Sequence, residues 1–170
     1  MTAIELARLG VAAGLVVVLT VIAVSDGLHR KIPNAALIVM LGVFVLWALV
    51  NRGAGLLSSL EAAAIALVVT AGLYMFKIIG AGDSKLFTVA ALFSGLAYLP
   101  LMAFVTVMIG GVIALAILIR RPIRGLVMFQ LRGKGDWGPG IPYGVPIAIA
   151  CAAVVWAPLL GLHPPNWVQT

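Results

Sequence analysis

The residues of this chain best able to do chemistry are two carboxylates, Asp26 and Asp83. Five acids occur in all. Glu5 and Glu61 close the runs Thr2-Ala3-Ile4-Glu5 and Ser58-Ser59-Leu60-Glu61, and S/T-x-x-E predicts a capping box at a helix start. Asp136 stands among Gly135, Trp137, Gly138 and Pro139, the company of a turn residue. Asp26 and Asp83 instead fall at the ends of long apolar stretches. Two carboxylates held close cannot easily both ionise, so one keeps a proton. The ionised partner can take a proton from water, while the protonated one hydrogen-bonds a carbonyl and later helps an amine leave. That is the chemistry of amide hydrolysis. Each acid also has a plainer reading: Asp26-Gly27 as a turn, and Asp83 as a helix N-cap whose charge meets the helix dipole.

The elements that must position them are membrane helices. Of 170 residues, 64% are hydrophobic and 9% charged, whereas a soluble domain is about a quarter charged. Such a chain is neither a soluble globule nor a disordered one. The single cysteine, Cys151, excludes a disulfide framework and a cysteine-based zinc cluster, and it reads as core packing. A span needs about 20 apolar residues. The charge-free stretches predict an all-α, polytopic membrane protein with six helices, at about 4–25, 35–50, 59–76, 83–98, 101–119 and 143–161, in one domain over 1–170. The stretch 86–119 is too long for one span, and Gly95 and Pro100 supply the break.

Basic residues set the orientation. The loops at 26–34, 77–85 and 120–142 hold nine of the eleven, and only Arg8 and Arg52 fall on the other side. The positive-inside rule then predicts cytoplasmic loops and outward termini. The first helix is expected to be retained, because its n-region carries Glu5 and a single basic residue, Arg8, and His29-Arg30-Lys31 follow at once. Residues 120–142 mix arginines with Leu126-Val127-Met128-Phe129, a composition suited to lying on an anionic membrane surface.

Both acids have informative neighbours. Gly80-Ala81-Gly82 precedes Asp83, and glycines allow close backbone approach. Ile32-Pro33-Asn34 follows Asp26 after five residues. Pro33 or Asn34 would start the second helix, by a fixed φ or by side-chain capping, and the 26–34 hairpin would hold Asp26 against that helix.

Asp26…Ile32-Pro33-Asn34, Gly80-Ala81-Gly82-Asp83-Ser84-Lys85-Leu86 and Ile141-Pro142-Tyr143-Gly144, in that order over six helices, resemble the type IV prepilin peptidases, intramembrane aspartic peptidases of the G-x-G-D kind. The closest likeness is to the short form that serves Flp-type tight-adherence pili. The resemblance implies an aspartic endopeptidase of the bacterial inner membrane. It would remove the leader peptide of prepilins or pseudopilins at the cytoplasmic face, with Asp26 and Asp83 as the catalytic pair. Longer relatives carry a cysteine tetrad in a large region between the first two helices and also N-methylate the trimmed pilin. Here that connection is short and has no cysteine, so methyltransferase activity is not expected. Membrane lipid is the other expected partner, nucleic acid is not one, and the resemblance allows a homo-oligomer.

Gly80 and Gly82 are expected to admit an extended substrate backbone beside Asp83. Two readings of Lys85 stand: a side chain reaching to the interface, and a charge that tunes the acids. Tyr143 is either a lining residue of the same mouth or an interface anchor. His29 and His163 fall on opposite sides, so no metal site and no cofactor are expected. If the two acids share one water, helices one and four must be neighbours and the Gly80–Gly82 loop must form part of the cleft's rim. A different class, a small proton-coupled transporter or channel with Asp26 and Asp83 as relay sites, is the competing reading. It is disfavoured because both acids lie at one face.

Overall fold

The computed structural model describes residues 2–120 and 143–162. Its elements are helices: α1 (Ala3–His29), α2 (Asn34–Val50), α3 (Leu56–Met75), α4 (Ala81–Arg120) and α5 (Gly144–Leu159). Among the described residues α1, α3 and α4 are long and apolar enough to cross a membrane, and α2 and α5 are shorter apolar helices. The expected segments 83–98 and 101–119 fall on the two helical arms of α4, which meet at a kink at Gly95. There φ is 61° and ψ 175°, a region open essentially to glycine alone. The break leaves the Leu96 N–H without a helical acceptor, and Ser58 Oγ of α3 accepts it at 2.9 Å. Pro100 is accommodated in the arm that follows.

Helix ends follow local chemistry, and two depart from expectation. The Thr2–Glu5 capping box is formed, with Thr2 N–H donating to Glu5 Oε2 at 2.7 Å. The second box is not. Helix α3 starts three residues early, at Leu56, after Gly55 at φ 74°, so Ser58 lies inside the helix and serves the Leu96 N–H instead. Helix α1 also runs past Asp26 to His29 and ends on Arg30 in the left-handed region, whose N–H donates to the Asp26 carbonyl. Asp26-Gly27 is therefore helix and not turn. The hairpin shrinks to residues 30–33, tied by Ser25 Oγ donating to the Lys31 carbonyl at 2.8 Å. Pro33 is the N-cap of α2 with φ −66°, and no side chain caps that helix, so its fixed φ, and not Asn34, starts α2.

Packing follows the helical period. Ala12, Leu15, Leu19, Ile22 and Asp26 make the buried stripe of α1, spaced by threes and fours as one helix face requires. Asp26 thus continues the line of core residues. The buried face of α3 is Ser59, Ala62, Ala66 and Thr70, small side chains that let a partner backbone approach closely. That partner is α4, joined where Ser84 Oγ donates to Thr70 Oγ1 at 2.9 Å. Phe44 of α2 meets Phe93 of α4 edge to face, with centroids 5.4 Å apart. Helix α5 packs against both α1 and α4, and half its residues are buried, from Gly144 and Pro146 through Cys151 to Val155.

Much of the outer surface is apolar. Val17, Leu28, Val68, Phe104 and Val107 are each more than 60% exposed. Water-soluble proteins do not show apolar surface on this scale, and lipid accepts it. This is a membrane protein. The basic segment 121–142, with Asp136, and residues 163–170, with His163, lie outside the described residues.

Candidate active site

The C-terminal ends of α1 and α3 and the N-terminal ends of α4 and α5 converge at one end of the bundle. They enclose a cavity of about 560 Å³ lined by Asp26, Arg30, Ile32, Lys77–Asp83 and Tyr143. Arg30, Lys77, Ile78 and Gly80 are exposed, so the cavity opens to its surroundings. Both aspartates line it, close enough for their charges to interact.

Each carboxylate is held by a glycine at a helix start. Asp83 is the third residue of α4 and reaches back to the Gly80 N–H, the contact that an acid at this position makes in a capping box. A Cβ placed on Gly80 would stand 3.0 Å from Asp83 Oδ2. Asp26 is only 6% exposed, and its Oδ2 accepts the Gly144 N–H at 2.8 Å, a contact across 118 residues of chain. The first amides of a helix have no partner within it, and a helix N-terminus favours negative charge. Two such ends, of α4 and α5, therefore face the two acids.

Of the expected supporting residues, Gly80, Gly82 and Tyr143 line the cavity. Gly82 lies within α4 against Ile32, which a Cβ would meet at an ordinary 3.5 Å. Tyr143 precedes α5, and its ring lies beside Gly110 of α4, where a Cβ would be 3.2 Å away. Lys85 is exposed and, like Pro33 and Asn34, is not among the lining residues. On a helix, residues two apart point in different directions, so adjacency to Asp83 does not bring Lys85 to the cavity. The lining cations are Arg30 and Lys77, both with φ in the left-handed range. Helices α1 and α4 are not extensively packed on each other. They are joined through α5 and α2, and only their ends meet across the cavity. Gly80–Gly82 lie on its wall as expected.

Sequence reasoning missed Gly144 as the holder of Asp26, together with Arg30 and Lys77. The Tyr143-Gly144 pair was a signal for the first, but nothing local pairs it with Asp26. Among the described residues no three His, Cys, Asp or Glu side chains cluster as metal ligands would. His29 ends α1 exposed.

Compared with known proteins, the chain matches no curated protein and no solved structure. The sequence model of the type IV leader peptidase family matches residues 13–115. That span is more than half of the chain and takes in Asp26, Gly80, Gly82 and Asp83, so the chain belongs to the type IV leader peptidase family.

Proposed function

We propose that the protein is an aspartic endopeptidase with Asp26 and Asp83 as its catalytic pair. It removes the leader peptide of Flp-type prepilins at the cytoplasmic face of the bacterial inner membrane. What supports the reading most is that these two carboxylates, from α1 and α4, line one cavity in a chain of a leader peptidase family. The pair acts as a unit. Its ionised member takes a proton from water, whose oxygen bonds to the scissile carbonyl carbon. Its protonated member donates a hydrogen bond to the carbonyl oxygen. The tetrahedral intermediate then collapses. The C–N bond breaks, the nitrogen takes a proton from the pair, and a carboxylic acid and an amine are released.

Substrate geometry agrees with this placement. A short polar leader followed by an apolar helix presents its scissile bond near the membrane surface, where water is at hand and charge costs far less than at mid-bilayer. The remaining parts of the reading are one membrane-embedded domain crossing six times, outward termini, and proteolysis without methyl transfer.

The test is co-expression with a prepilin substrate, reading loss of the leader by mass. Asp26→Asn and Asp83→Asn should each lower cleavage by at least about 10²-fold, as loss of a general acid or base does, with the protein still in the membrane. Asp136→Asn is the neutral control. Near wild-type turnover in either cavity variant sinks the dyad. Cleavage that stops with a chelator and returns with zinc sinks the aspartic mechanism, and methylation of the trimmed pilin by this chain alone sinks the purely proteolytic reading.

A further inference from the structure

Gly144 follows the cavity-lining Tyr143 and is left unused by the proposed reaction, and its surroundings are tighter than those of Gly82 or Gly110. A Cβ built on it would stand 2.8 Å from Asp26 Oδ2, 2.9 Å from Cγ and 3.0 Å from Cβ. Cβ atoms do not approach other heavy atoms so closely. By contrast Gly10, Gly14, Gly42, Gly72 and Gly111 meet nothing within 4 Å. The φ of Gly144 is ordinary, so backbone conformation does not call for glycine. Helix propensity favours alanine by about 1 kcal/mol. What the position requires is space, and the space is filled by the Asp26 carboxylate.

That carboxylate has little freedom to withdraw. Asp26 is buried, α1 and α5 are packed on each other, and both Ile22, one turn before Asp26, and Ile147, one turn after Gly144, are buried. The Gly144 N–H is an end amide of α5 with no partner in its own helix, and the Val145 N–H lies close enough to contribute. An acid from the first helix thus caps the last described one.

We propose that Gly144 is a positioning residue for Asp26: its missing side chain admits the carboxylate to the α5 amide, which fixes Oδ2 and leaves Oδ1 to exchange protons with water and Asp83. The inference rests on the peptidase reading for its catalytic consequence, and on geometry alone for the contact. A Cβ at residue 144 turns the carboxylate away from its set direction, while the rest of the cavity, and so substrate binding, is untouched.

The test uses the full chain in detergent or lipid with a prepilin substrate. Gly144→Ala should lower kcat about 10²-fold, the effect of a misplacement of roughly 1 Å, with KM within about twofold of wild type. Gly111→Ala, in open space outside the cavity, should leave both unchanged. Wild-type kcat in Gly144→Ala, or a raised KM with kcat intact, would overturn the proposal. Thermal stability of Gly144→Ala, Asp26→Ala and the double variant supplies a second measurement that needs no turnover. Whatever destabilisation Gly144→Ala causes should vanish once Asp26 is alanine, because the clashing atoms are gone. An equal cost in both backgrounds, including failure to fold in both, would also overturn it. If the wild-type protein cuts no leader, the peptidase reading fails while the stability cycle still decides the contact.

Discussion

The same alanine should have unequal consequences at Gly80 and Gly82. At Gly80 the new Cβ would press on Asp83 Oδ2 at 3.0 Å, whereas at Gly82 it would rest on Ile32 at 3.5 Å. Gly80→Ala should therefore cost more turnover, by about tenfold or more on the scale of misplaced catalytic groups, and steady-state cleavage of one substrate by both variants checks the order. The two aspartates were legible from residue type, from their position at the ends of apolar runs, and from the motifs around them. The groups that hold and surround them were only partly so. Gly80 lies three residues from Asp83, and local pattern finds it. Gly144 meets Asp26 only because two helices distant in sequence pack together, and no local pattern encodes that. Lys85 shows the converse: adjacent in sequence to the acid's turn, it faces elsewhere, and the cavity's cations come from the left-handed residues that end α1 and follow α3.

The helices themselves were largely legible as apolar runs, because a lipid-facing helix writes its length directly in hydropathy. Their ends were less so. A capping box and a plain Ser-x-x-Glu run look alike in sequence, and only the box at Thr2 forms. Ser58 has a tertiary role instead, and it can be tested. Ser58→Ala removes the acceptor of the Leu96 N–H at the Gly95 break. The lost hydrogen bond is worth about 0.5–1.5 kcal/mol, and the loss should appear as a lower unfolding midpoint in detergent. Twelve residues of helix separate Gly95 from Asp83, about 18 Å at 1.5 Å each, so kcat should stay near wild type. Gly95→Ala should be destabilised as well, by about 1–3 kcal/mol, since it forces a side chain into a glycine-only conformation.

At the scale of the whole molecule, the proposed orientation makes a prediction that any active-site result leaves open. In a Cys151→Ala background, a cysteine at Lys31, in the hairpin beside Asp26, should be shielded from impermeant thiol reagents in intact cells. One at Ala54, between α2 and α3, should be labelled. Both positions are exposed, so access and not burial decides the outcome, and the reverse pattern would put the cavity outside the cell. The meeting of four helix ends around that cavity has a consequence for how the enzyme comes into being. The family match, residues 13–115, contains both aspartates but stops short of the amide that holds Asp26. During synthesis the first acid enters the membrane when most of the chain is still unmade, and its partner at residue 144 arrives 118 residues later. A half-made chain therefore carries both acids without the clasp that aims one of them. On the roles proposed for Asp26 and Gly144, the order of translation leaves the nascent chain unarmed until its last described helix has docked.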